Sequence, residues 1–186
     1  MKKAIGLRFV PFEEAKHAKN YFLGAPRLPK ELVDEFDDTV MFLGMIHLPD
    51  IAIFDKENKL PHEGYLYFFL DTANSSRHLI PIVRHVKEEP EVIVDDYNLI
   101  PEAEFFPNLD KPRGVEFVEV DEDDEGCKLL GVPCDWNYQD APKDPLLLQI
   151  SHMDEALNFL SYLDGFTYIF FGKDGLDGAY AFYEYA

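Results

Sequence analysis

The sequence predicts an α+β domain: two tandem, structurally similar, strand-rich repeats packed around a pseudo-two-fold axis, with an N-terminal helix. Three observations lead there. Some segments are apolar at every position, as strands covered on both faces are, above all Tyr65-Leu66-Tyr67-Phe68-Phe69-Leu70. Others have helical spacing with start and stop residues in place. Three blocks of the first half also recur, in order, in the second.

The elements follow in chain order. Residues 11–24 read as a helix: Pro11 suits a first turn, Glu13 and Glu14 follow it, Phe12, Ala15, Ala18 and Phe22 give a stripe, and Gly24 ends it. A short helix over 30–36 follows Pro29. Strands over 40–48, 64–71 and 79–86 are separated by turn signals at Pro49-Asp50, Pro61 to Gly64 and Asn74-Ser75-Ser76. Residues 87–126 differ in kind. They hold 15 acidic and 3 basic residues, so they carry −12 of the chain's −19, with Pro90, Pro101, Pro107 and Pro112 among them. Short strands fit 92–94 and 115–120, but the stretch reads as an acidic connector crossing the surface. Its run Asp121-Glu122-Asp123-Asp124-Glu125 is expected to be solvated, because adjacent carboxylates repel. A strand over 146–151, a helix over 154–163 stopped by Gly165, an aromatic strand over 166–171, glycine turns and a closing strand over 179–185 complete the chain.

The recurrence pairs Phe22-Leu23-Gly24-Ala25-Pro26 with Leu129-Leu130-Gly131-Val132-Pro133. It pairs the strand ending at His47 with the one ending at His152, and Gly64-Tyr65 with Gly165-Phe166. One domain, 1–186, thus holds repeat one over about 22–86, the acidic connector 87–126, and repeat two over about 127–186.

Hydrophobic residues make up 47% of the chain and aromatics 15%, enough for a sizeable core. Lys plus Arg is 17 against 36 Asp plus Glu. So acidic a surface repels phosphate backbones and anionic membranes, so nucleic acid and membrane are not expected partners. Cys127 and Cys134 are too few for a disulfide scaffold. The apolar stretch after Lys2-Lys3 is broken by Arg8, Pro11, Glu13 and Glu14, so no leader is expected, and the reading is cytoplasmic.

The ordered blocks resemble the YwqG-like proteins. Phe22-Leu23-Gly24-Ala25-Pro26-Arg27-Leu28-Pro29 is similar to their opening Gly-x-Pro-x-x-Pro turn, and Met41 to Leu48 to their first strand block. Leu60-Pro61-His62-Glu63-Gly64-Tyr65-Leu66-Tyr67-Phe68-Phe69 is similar to their Leu-Pro-x-x-Gly signature. Lys128 to Pro133, Leu146 to Ile150 and Phe166 to Phe171 are similar to the later blocks. The resemblance implies an α+β fold of two similar halves in a bacterial family of unknown biochemical function. It carries over no catalytic residue. His47 and the Asp135-Trp136-Asn137-Tyr138 stretch depart from the family pattern.

No phosphate loop, dinucleotide fingerprint, zincin or nucleophile-elbow motif is present. Gly172 to Gly178 lies between two strands and reads as a hairpin turn. Asp121 to Gly126 has calcium-loop acidity but Val132 where the bidentate Glu belongs. His62, His78 and His85 with Asp71 lack metal-ligand spacing. No cofactor, metal or catalytic residue is therefore assigned. The candidate partner- or ligand-binding residues are His47 and His152, equivalent in the two repeats, and Asp135, Trp136 and Tyr138 in a polar loop. The favoured function is a non-enzymatic binding module whose acidic surface faces a basic protein. Two alternatives stand beside it. One is a small-ligand protein or enzyme with a site at the seam between repeats. The other is an immunity-type protein against a secreted toxin, suggested by the genomic neighbourhoods of similar proteins.

Overall fold

The structure is a computed structural model that describes residues 2–14, 19–36, 39–71, 80–94, 111–134, 142–151 and 166–184. It corrects the fold class from α+β to mainly β. Ten strands form one sheet in the order β12-β11-β10-β9-β1-β8-β2-β4-β5-β6, every neighbouring pair antiparallel. They are β1 (Lys3–Pro11), β2 (Tyr21–Phe22), β4 (Val40–His47), β5 (Tyr65–Asp71), β6 (Ile80–Val86), β8 (Arg113–Asp121), β9 (Lys128–Leu129), β10 (Leu146–Ile150), β11 (Phe166–Gly172) and β12 (Gly175–Glu184). A two-stranded ribbon pairs β3 (Arg27–Leu28) with β7 (Val92–Ile93). The end strands β6 and β12 lie beside each other, so the sheet curls into a nearly closed barrel. Helix among the described residues is limited to α1 (Lys30–Val33), α2 (Leu48–Ile51) and a 3-10 turn at Phe12–Glu14.

The N-terminal helix expected over 11–24 is not what its described residues form: they are the end of β1, the 3-10 turn at Phe12–Glu14 and strand β2. On β1, the alternating Ile5, Leu7 and Phe9 face the interior opposite Val115 and Phe117 of β8. Phe12 and Phe22, read as one helical stripe, go to opposite faces of the sheet. Phe22 packs inside with Phe9 and Phe68, while Phe12 packs outside on Tyr21. A long-range pairing that sets Ile5, Leu7 and Phe9 against the core in a period of two outweighs local helix start signals. The acidic stretch is corrected too. Within 87–126, β8 is a central strand of the sheet rather than part of a surface crossing. The helix expected over 154–163 lies outside the described residues.

The core follows the strand period. On β5, Leu66, Phe68 and Leu70 fill the barrel, while Tyr65, Tyr67 and Phe69 face outward. The outward set is covered by Leu28, by Leu32 of α1, and by Phe12, Phe36 and Val94. On β4 the inward parity changes at a bulge between Phe42 and Gly44, so that Leu43 and Ile46 both point inside. A matching irregularity between Leu146 and Leu148 turns Leu147, Leu148 and Ile150 inward on β10.

The strand order reads alike from both ends. From the central β1–β8 pair, β8 leads through β2, β4 and β5 to β6, and β1 leads through β9, β10 and β11 to β12. The halves are not two units packed face to face. They share one sheet, and the first strand of each lies against the other half. Individual contacts match. Val115 N–H bonds Asn20 O at 3.0 Å, and Leu7 N–H bonds Cys127 O at 2.8 Å. Leu23 N–H bonds Leu43 O at 2.9 Å, and Leu130 N–H bonds Leu147 O at 3.0 Å. Tyr67 Oη donates to Arg27 O at 2.9 Å, and Tyr168 Oη to Cys134 O at 3.0 Å. Both Leu-Gly turns are left-handed, with φ of 63° and 70° at Leu23-Gly24 and 62° and 82° at Leu130-Gly131. A leucine there is strained by about 1–2 kcal/mol. In both turns its N–H reaches a sheet carbonyl and its side chain is buried, which offsets that strain.

Candidate functional site

The first candidate site lies where β4 ends. His47 closes that strand and precedes α2. Its backbone N–H donates to Asn20 Oδ1 at 2.7 Å, and Asn20 Nδ2 donates to Asp50 Oδ2, also at 2.7 Å. The other Asp50 oxygen is 3.1 Å from His47 Nδ1. That approach is close but out of line with the ring N–H, so buried Nδ1 has no aligned hydrogen-bond partner. Tyr65 lies opposite His47 in the β4–β5 ladder, their rings 4.9 Å apart. The Tyr65 hydroxyl donates to Glu89 Oε2 at 2.7 Å, and Lys19 Nζ lies 3.3 Å from Glu89 and 5.5 Å above the Tyr65 ring. Burial, then the Glu89 carboxylate, push the Tyr65 phenol up. The same hydrogen bond, with Lys19 beside it, pulls Glu89 down.

The other half builds the same turn from different chemistry. Ser151 N–H reaches Cys127 Sγ at 3.3 Å, where His47 N–H reaches Asn20. Run one step past Ile150–Thr167, the β10–β11 ladder sets Ser151 opposite Phe166, as His47 is opposite Tyr65. The counterpart of His47 is therefore Ser151, not His152. Tyr67 and Tyr168 both keep a hydroxyl because each ties down a loop carbonyl. Tyr65 has a phenylalanine as its counterpart. Asn20, His47 and Tyr65 are thus not required by the turn itself.

The second candidate site is the acidic loop between β8 and β9. Lys128 is fully buried and points its ammonium into the loop backbone, donating to Glu122 O at 3.0 Å and Asp124 O at 2.6 Å. Gln149, also buried, donates to Asp124 O at 2.9 Å and Gly126 O at 2.8 Å, while its Oε1 accepts from Cys134 N–H at 3.0 Å. Val132 N–H closes onto Glu122 O, and Gly126 N–H onto Asp124 Oδ1, each at 2.8 Å. The cation that this loop holds is its own lysine. Burial pulls the Lys128 ammonium below the ordinary lysine value, against Cys134 and the loop carboxylates. Asp121 pairs with Lys3 at 2.7 Å, but Glu122, Asp123 and Glu125 have no ion pair among the described residues. An open groove of about 360 Å³ runs beside the loop along β1.

Of the residues expected from sequence, His47 is in place. Asp135, Trp136, Tyr138 and His152 lie outside the described residues. His62 and His85 do not converge on a metal site. His62 lies 3.2 Å from Asp55, and His85 bonds the Glu63 carbonyl at 2.9 Å. No group of three metal-ligating side chains occurs among the described residues, nor a helix long and apolar enough to cross a membrane. Sequence reasoning missed Asn20, Glu89, Lys128 and Gln149. A signal existed for the last two, a lone lysine and a lone glutamine inside apolar blocks. Comparison of the chain with protein-family models, with curated proteins and with solved structures returns no match in any of the three.

Proposed function

We propose that the protein is a non-enzymatic binding module that docks a basic protein on its acidic loop. The observation that carries this reading is the loop anchor. Solubility needs charge but no particular shape. Here a buried ammonium and a buried amide hold the backbone of the acidic run, while Glu122, Asp123 and Glu125 face out. Burying an ammonium is costly unless it is well hydrogen-bonded, and the Glu122 and Asp124 carbonyls supply those bonds, so moving the loop backbone would leave the buried Lys128 unsatisfied. Ion pairs among the described residues already engage Lys2, Lys3, Lys19, Lys30, Lys56, Lys59, Arg84 and Lys87, which leaves acidic surface in excess. A second reading, a small-ligand site around His47, is favoured by the Asn20, His47 and Tyr65 chemistry that the other half lacks.

The test is the association rate of a lysine-rich peptide at rising salt. Exposed charges are screened over about 10 Å at 0.1 M, so the rate is expected to fall about tenfold between low and high salt. Glu122→Gln/Asp123→Asn/Glu125→Gln slows association several-fold at low salt, whereas Glu13→Gln/Glu14→Gln/Glu31→Gln, with the same change in charge, leaves it nearly unchanged. Equal slowing by both variants, or none by the first, contradicts the reading.

A further inference from the structure

We infer that the groove beside the acidic loop seats an aliphatic side chain of the basic partner, so that the site recognises an apolar residue flanked by lysine or arginine. This rests on the reading of the loop as the docking surface and goes beyond it in naming a sequence pattern. The floor is formed by Gly6 of β1 with Val118 and Val120 of β8. Gly6 is what lets the two valines close over this strand, because they fill the position its side chain would take. A Cβ there would lie 2.7 Å from Val120 Cγ1 and 3.0 Å from Val118 Cγ2, so the valines lean over the glycine. Asp124 and Gly126 form the wall on the loop side, and Ser151 lies in the lining too.

The volume, about 360 Å³, is at the small end for a ligand site, enough for one or two side chains but not for a folded element. The charge beside it decides the class of occupant. Arg8 also lines the groove, but Glu116 lies opposite it in the β1–β8 ladder and balances it. The excess charge comes from the loop, where Glu122, Asp123 and Glu125 are exposed or half-exposed beside Asp124. An extended basic segment therefore places its apolar residue on the valines and its cations against the loop. Apolar contact slows release, and the carboxylates speed encounter.

Two pentapeptides of equal charge test this, Lys-Lys-Leu-Lys-Lys and Lys-Lys-Ser-Lys-Lys, titrated into the isotopically labelled full chain at low salt. The leucine peptide is expected to bind about tenfold more tightly, with the largest amide shifts at Gly6, Val118, Val120 and Gly126. Val120→Lys, and independently the shape-conserving Val118→Thr, reduce that preference while the serine peptide is still bound by the wild-type chain. Equal affinity for both peptides, or shifts concentrated away from the groove, overturns the inference and leaves the loop reading standing. Failure of both peptides to bind overturns the loop reading itself.

Discussion

Gly64→Ala is expected to destabilise the protein by about 3–5 kcal/mol, a large share of the total stability of a domain this size. Gly64 has φ of +77°, a left-handed conformation that costs other residues about 1–2 kcal/mol. The surroundings add more. A Cβ at this position would overlap the Val86 carbonyl oxygen and lie 2.8 Å from Lys87 Cα, and both are backbone. Neither can swing away as a side chain would. Gly64 also accepts the Leu48 N–H at 2.9 Å, so a shift propagates into α2 and the His47 site. Urea unfolding measures the effect, and a loss under 1 kcal/mol contradicts the account. Gly44→Ala is the useful comparison, because its Cβ would meet the Phe22 ring at 2.6 Å, a side chain that has some room to adjust.

Strong alkali is expected to unfold the protein, with stability falling steeply above pH 10. Burial pushes the Tyr21 phenol from 10.0 up to about 12, and it pushes Tyr67 further in the same direction. Tyr180 also rises to about 12, through burial and then Asp144, but it is more open to solvent and contributes less. For a phenol raised in the folded state, the stabilisation is complete below the unfolded value of 10.0. It disappears as pH climbs through the folded value, because the unfolded chain ionises first. Two units at Tyr21 amount to about 3 kcal/mol, with Tyr67 adding to it. Lys128 acts with the opposite sign. Its lowered folded pKa means that stability rises with pH from that value up to 10.5, so the steep loss follows a region of gain. Urea titrations between pH 8 and 12 measure the slope, and Tyr21→Phe flattens it even though two hydrogen bonds of its hydroxyl, from Arg27 N–H and to Ala25 O, are lost. Normal phenol titration of all ten tyrosines in the folded protein contradicts this.

The strands β4, β5, β6, β10 and β11 are legible in the sequence because each is an apolar run bounded by proline, glycine or polar turns. The Leu-Gly-x-Pro turns are legible for a similar reason: a glycine and a proline at fixed offset announce a particular backbone shape. Strand β1 is not. Lys2, Lys3 and Arg8 interrupt its apolar pattern, and its partner β8, legible as a short strand over 115–120 but not as a central one, is more than a hundred residues away in an acidic stretch. The helix signals at Pro11, Glu13 and Glu14 are local, and the pairing that overrides them is not. The same distinction holds for the sites. His47 stands out as a polar residue ending an apolar strand. Glu89 and Asn20 become partners of that site only when the turn after β6 and the segment before β2 fold against β5. In the acidic loop, the sequence shows the repulsion between carboxylates but not the lysine beneath them.

Replacing Lys128 by methionine tests the central claim most directly. Methionine keeps the buried volume, makes the chain one unit more negative and removes both ammonium hydrogen bonds to the loop backbone. The measurement is the affinity of Lys128→Met for the lysine-rich peptide at low salt, with unfolding curves confirming that the sheet is intact. If the loop works by its fixed shape, the variant binds about tenfold more weakly despite its greater negative charge. If it binds as tightly as the wild type or more tightly, net charge alone governs association, and the acidic loop is not a preorganised docking surface.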